Sequence, residues 1–122
     1  MMKIAIVEDD QAIAQMYRLK FEAEGFDVQL AENGQLGFEL IEQFRPDIIL
    51  LDIMMPVMPG HEMLKKLRAT EWGKDIKVIM LTNMGEQEAP DILQELNVSS
   101  FIVKAEMTPR QVADLVKQTV GL

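Results

Sequence analysis

Three carboxylates stand in a row at Glu8-Asp9-Asp10, a fourth, Asp52, closes the run Ile48-Ile49-Leu50-Leu51, and Lys104 closes Phe101-Ile102-Val103. Thr82 follows a further apolar run, Lys77-Val78-Ile79-Met80-Leu81. Each polar group comes directly after an apolar stretch, so the chain delivers acids, a hydroxyl and an ammonium to the tips of buried elements. An unpaired carboxylate resists leaving water, so Asp52 must reach solvent or meet a cation. Carboxylates gathered in one crevice repel each other, and without a counter-ion at least one holds a raised, coupled pKa. A divalent cation resolves that conflict. Magnesium prefers oxygen ligands, keeps several waters and takes one or two carboxylates with a phosphate oxygen; Asp9 and Asp52 suit direct ligation and Glu8 ligation through water, with manganese as the alternative ion. Lys104 and the Thr82 hydroxyl add a positive charge and a donor for anionic oxygens. Together these groups describe a phosphoryl site in which Asp52 accepts the group as an acyl phosphate.

Singly, the same residues have plainer readings. The acidic trio caps a helix, Thr82 is a solvated strand end, and Lys104 is a surface charge. Their shared position at carboxyl strand ends, with none at the opposite ends, favours a site. His61, the single histidine, stands at a helix start without a companion and reads as an ordinary exposed residue.

The elements that must position these groups follow from periodicity. Lys3-Ile4-Ala5-Ile6-Val7 is a short strand, and Ala12, Ile13, Met16, Leu19 and Ala23 recur at helical spacing up to Gly25. Phe26, Val28 and Leu30 alternate with Asp27 and Gln29, the pattern of an edge strand with one polar face. Asn33-Gly34 opens a second helix with Leu36, Gly37, Leu40, Ile41 and Phe44 as its stripe, stopped by Pro46. Ile48 to Leu51, aliphatic throughout, is a strand buried on both faces. A rigid turn from Pro56 to Gly60 leads to a third helix with Met63, Leu64 and Leu67 inward and Lys65, Lys66 and Arg68 outward. Trp72 reads as a lid on the core edge. The fourth helix is weak, with an early Pro90 and only Ile92, Leu93 and Leu96 as its stripe, and is expected to be the most mobile element. Ser99 to Val103 is the fifth strand, and Thr108-Pro109 opens a last helix with Val112, Leu115, Val116 and Val120 toward the core.

Five strands alternating with five helices specify an α/β three-layer sandwich, with a parallel sheet of order 2-1-3-4-5 and right-handed crossovers. Glu8, Asp9 and Asp52 then meet where the winding direction reverses, with Thr82 and Lys104 on neighbouring strand ends. With 122 residues, 48% of them hydrophobic, the chain reads as one domain over 1–122. Twelve basic against twenty acidic residues leave a formal charge of -8, which argues against nucleic acid or an anionic membrane and suits protein partners or cations. The absence of cysteine removes disulfides and thiolate chemistry. With no leader and no long apolar run, a cytoplasmic location is expected.

Val7-Glu8-Asp9-Asp10, Leu51-Asp52-Ile53-Met54-Met55-Pro56 through Gly60, Leu81-Thr82-Asn83 and Phe101-Ile102-Val103-Lys104 together resemble the receiver domain of response regulators, the flavodoxin-like phosphoacceptor of two-component signalling. The resemblance covers the whole chain. It implies Asp52 as the phosphorylation site and Glu8, Asp9, Asp52 and the Met54 carbonyl as the magnesium shell. Lys104 and Thr82 then bind the phosphoryl group, and Thr82 with Phe101 forms a switch pair that remodels the helix 4, strand 5 and helix 5 surface. A sensor histidine kinase or phosphotransfer protein is the implied donor, a protein the implied target, and a homodimer stays open. Such a domain is a regulated acceptor rather than an enzyme.

Four positions stand out against the family pattern. Phe101 has no hydroxyl where tyrosine is common, so the two switch states are less sharply locked. Ala105 replaces the usual proline after Lys104; a cis bond there costs about 2.5–4 kcal/mol against roughly 0.5–1 before proline, so a trans bond and a shifted loop are expected. Met54 and Met84 occupy the positions that modulate acyl-phosphate hydrolysis, and neither can orient a water, which implies slow self-dephosphorylation. Two other classes compete. A pseudo-receiver would bind a partner without accepting phosphate, which the intact acid, Thr82 and Lys104 set disfavours. A magnesium phosphohydrolase would want a second acid where Met54 stands, and the glycine-rich loop of a nucleotide site is missing after the first strand.

Overall fold

A computed structural model of the protein describes residues 1–82 and 96–122; Asn83, Met84 and the body of the predicted fourth helix lie outside them. The strands are β1 (Lys3–Val7), β2 (Asp27–Ala31), β3 (Ile48–Asp52), β4 (Lys77–Thr82) and β5 (Ser100–Val103). They form one parallel sheet in the expected order β2-β1-β3-β4-β5. The helices among the described residues are α1 (Gln11–Ala23), α2 (Gly34–Phe44), α3 (Gly60–Arg68) and a C-terminal helix (Pro109–Thr119). None of them is long and apolar enough to cross a membrane.

Side chains alternate across the sheet, so each strand feeds two cores. Ile4, Ile6, Ile48, Leu50, Ile79 and Leu81 pack with Tyr17 and Phe21 of α1 and with Val112 and Val116 of the C-terminal helix. Ala5, Val7, Ile49, Leu51, Val78 and Met80 pack on the other side with Ile41 of α2 and with Met63, Leu64 and Leu67 of α3. β3 is buried at every position, which is why it reads as an unbroken aliphatic run. Helix starts follow their caps: Asp10 accepts from Ile13 N–H, Asn33 from Leu36 N–H, and Thr108 forms a reciprocal capping box with Gln111 behind Pro109. Trp72 lies against Phe38 at 5.7 Å with the Arg45 guanidinium over its ring at 4.5 Å, a lid as expected.

Several helix faces differ from the sequence expectation. In α1 the buried residues are Ala14, Tyr17 and Phe21, whereas Ala12, Met16, Leu19 and Ala23 point to solvent, Leu19 with 69% of its surface exposed. The helix carries two apolar stripes on opposite sides. The one with two aromatic rings removes more area from water and takes the core. Leu36 of α2 also faces outward. Arg68, expected outside, turns in and donates to the carbonyl oxygens of Leu96, Gly73, Lys74, Ile76 and Asn97. A planar fork of donors suits carbonyls left open in two separate turns, and its aliphatic stem tolerates burial.

The two faces of α1 differ in what their removal costs. Phe21→Ala should destabilise the fold by about 3–5 kcal/mol, and Leu19→Ser should stay within roughly 0.5 kcal/mol of the native chain, read from urea midpoints. Equal losses would mean that the helix is rotated.

Candidate functional site

The parallel register brings the acids together. β1 and β3 pair with Val7 opposite Leu51, so Glu8 follows one strand while Asp52 ends its neighbour. Ligand oxygens of Glu8, Asp9 and Asp52 all lie within 4.8 Å of one another. Glu8 and Asp52 are almost closed off from water, with 1% and 3% of their surface exposed, whereas Asp9 is open to solvent. Asp10 leaves the group and serves as the cap of α1, so the plainer reading holds for this one member of the trio.

Lys104 crosses from the end of β5 to bind both deep acids. Its Nζ donates to Glu8 Oε1 at 2.8 Å, Glu8 Oε2 at 2.9 Å and Asp52 Oδ2 at 3.0 Å. Burial opposes charge on Lys104, yet its bond to Glu8 and the Asp52 carboxylate hold its pKa above the ordinary lysine value. For Glu8, burial is the largest influence and pushes the carboxyl from 4.5 up to about 7, opposed by the Lys104 bond and reinforced by Asp52. The expected conflict among crowded carboxylates is therefore present, with Lys104 settling part of it. An all-oxygen donor set with one open acid is of the kind that hard divalent cations take, so the residues fit the expected ion.

The backbone around Asp52 is tightly built. Gly60 N–H donates to Ile53 O at 2.9 Å, and a Cβ on Gly60 would come within 2.0 Å of the Asp52 carbonyl oxygen, so only glycine lets the loop fold back onto the acid. Gly34 N–H in turn donates to Met58 O at 3.1 Å, tying the same loop to the start of α2. Val57 adopts φ 69° with 79% of its surface exposed, a left-handed conformation costly for a β-branched residue. Met54 N–H faces Asp52 Oδ1 at 3.4 Å, and its side chain is exposed.

Thr82 is buried at the tip of β4 and pairs in register with Val103, two positions after Met80 pairs with Phe101. Thr82 and Phe101 therefore share one sheet face, where Phe101 packs half-buried against the α2 and α3 core. Lys104–Glu106 forms a short 3₁₀ turn, and no described peptide bond is cis, so Lys104-Ala105 is trans as expected. Met84 lies outside the described residues. His61 is half-buried rather than exposed, its Nδ1 shielded without a hydrogen-bond partner among the described residues. Sequence reasoning passed over Tyr17, which is buried within electrostatic reach of Lys104 and Glu8. Its spacing of four from Ile13 and from Phe21 was the available signal.

The raised Glu8 pKa fixes a sign. Folded protein holds this proton more tightly than unfolded chain, so the contribution is complete below 4.5 and is lost as pH rises through about 7. In metal-free buffer, stability should fall between roughly pH 5 and 7.5, and Glu8→Gln should flatten that slope in denaturant midpoints. Identical slopes would place the Glu8 proton elsewhere.

Comparison with known proteins agrees with this geometry. The family model described as the response regulator receiver domain matches residues 4–117. The DNA-binding dual master transcriptional regulator RpaA of Synechocystis is 41% identical over 86 residues, 70% of this chain and 36% of that protein, so the chain spans well under half of this relative. The CheY-like receiver domain protein of Methanospirillum hungatei superposes with a TM-score of 0.90 at 28% identity, covering 99% of this chain and 94% of the other. The receiver domain of the sensor histidine kinase PA1611 of Pseudomonas aeruginosa, described with a magnesium ion coordinated in its active site cleft, shares the fold with a TM-score of 0.88 at 22% identity, covering 99% and 98%. The chain belongs to the response regulator receiver domain family, the regulatory phosphoacceptors of two-component signalling.

Proposed function

We propose that residues 1–122 work as one receiver unit in which Asp52 accepts a phosphoryl group from a sensor histidine kinase, a phosphotransfer protein or a small phosphodonor. The observation that carries this reading is the three-way contact of Lys104 with Glu8 and Asp52 beside the open Asp9. An Asp52 carboxylate oxygen forms the new bond to phosphorus, the bond to the donor's nitrogen or oxygen breaks, and the donor leaves with the electron pair. A magnesium or manganese ion held by Asp9, Asp52 and the Met54 carbonyl, with Glu8 acting through water, would supply positive charge for the phosphoryl oxygens. Lys104, already bonded to Asp52, turns toward the incoming dianion, and the Thr82 hydroxyl donates to another of its oxygens.

The switch follows from the shared face of Thr82 and Phe101. As Thr82 moves toward the dianion, the Phe101 ring fills the space it leaves. The surface of β5, the C-terminal helix and the predicted fourth helix, whose body lies outside the described residues, changes for a protein target. Phosphorylation acts by binding energy that differs between two existing states. A cytoplasmic setting fits a kinase partner, and the -8 charge fits protein rather than nucleic acid.

Intact-mass analysis with acetyl phosphate and magnesium should show a gain of about 80 Da that Asp52→Asn abolishes. Donor turnover without an adduct would identify a hydrolase instead, and no reaction at all a pseudo-receiver. The adduct should also be long-lived, because Met54 and Met84 cannot orient an attacking water. Met54→Asn and Met84→Glu should each shorten its half-life several-fold in a phosphate-release time course; faster loss from the native chain would contradict this assignment.

A further inference from the structure

On the side of the sheet edge away from β5, α1, β2 and α2 enclose a groove of about 470 Å³, within the roughly 300–1,000 Å³ usual for binding clefts. Leu30, Leu36 and Leu40 give it an apolar floor, and Glu32 and Glu39 stand on its rim. Leu36 has 43% of its surface exposed, so part of this floor is in water. Neither rim acid has a cationic partner among the described residues. Among the described residues Glu32 accepts from Gln11 and Glu39 from Gln35, both at 3.4 Å.

The backbone of β2 adds a directional feature. Asp27 N–H donates to Met2 O and Ala31 O accepts from Glu8 N–H, so the odd-numbered residues of β2 bond to β1. By strand alternation the N–H and C=O of Leu30 point to the free edge, and β2 has no second neighbour among the described residues. The groove runs along α2 from Leu36 to Gln43, about 10 Å at 1.5 Å per residue, the length of roughly three residues of extended chain. An apolar floor, two unpaired acids and an open strand edge coincide.

We propose that this groove receives an extended basic segment of a partner protein, added as a strand to the free edge of β2. Main-chain bonds to Leu30 set the register, aliphatic side chains cover Leu36 and Leu40, and lysine or arginine side chains meet Glu32 and Glu39. The groove adjoins the acid cluster, with Glu8 forming part of its inner wall, while Asp52 is not among its lining residues.

The probe is a blocked hexapeptide of alternating lysine and valine, titrated into the full chain by calorimetry and by NMR. Binding should weaken at least tenfold for Glu32→Lys/Glu39→Lys, whose exposed positions leave the fold intact by circular dichroism, and should persist in Asp52→Asn. N-methylation of the peptide's valines should also weaken it tenfold, and the Leu30 amide should exchange at least tenfold more slowly in the complex. Equal binding of a lysine-glycine peptide of the same charge, an unaffected double variant, or an unchanged Leu30 exchange rate would each reduce the effect to general attraction by an acidic surface and overturn the proposal.

Discussion

Two carboxylates that water barely reaches share one ammonium, and the site is built around that arrangement. Burial works against charge on Glu8 at this depth and raises its pKa, while the Lys104 ammonium opposes that rise. Lys104 reaches them from β5, which lies two places from β3 and three from β1 in the sheet. The contact therefore requires the complete parallel order from β1 to β5. Removing one partner of such a cluster leaves a buried charge uncompensated, which is costlier than the intact cluster is stabilising. Fold and site are in this sense one constraint. The sheet delivers the groups, and their charges penalise any register that separates them.

The loop after Asp52 meets a second constraint. The acceptor role proposed for Asp52 asks that its carboxylate be held still while its neighbours leave room for a donor. Gly60 lies against the Asp52 backbone so closely that no side chain fits, while Val57 and Met54 are turned out to solvent. Holding a β-branched residue at positive φ costs of order 1–3 kcal/mol, and the surrounding contacts of Gly60 and Met58 keep it there. A loop tight against the Asp52 backbone and exposed at Met54 and Val57 suits the role proposed for Asp52 without refolding.

Strands were readable from sequence because each apolar run ends in, or is followed at once by, a polar residue, and the run Ile48 to Leu51 has no polar interruption. The same property placed Glu8, Asp9, Asp52 and Lys104 at a common edge. Helix orientation was harder to read. In α1 two apolar stripes satisfy the same periodicity, and only the area of Tyr17 and Phe21 separates them, so a count of apolar positions selects the solvent side. Arg68 was unreadable for another reason: periodicity treats a charge as outward, whereas its guanidinium is held by backbone carbonyls that leave no mark on composition. The shielded Nδ1 of His61 is equally silent, since it depends on how α3 starts after Pro59.

The outward stripe of α1 has a consequence for the whole surface. Contiguous apolar residues on a monomer favour association, and Ala12, Met16 and Leu19 begin directly after the acids of β1. The surplus of eight negative charges opposes unselective self-association, because two copies repel at long range while the stripe acts only at contact. An encounter must first overcome or neutralise that repulsion, which a partner with basic groups does and a second copy does not. Charge thus decides which molecules come near, and the apolar face decides which of them stay. Because α1 also caps itself with Asp10 and buries Tyr17 near Lys104, whatever covers its outer face rests on the helix that supports the acid cluster.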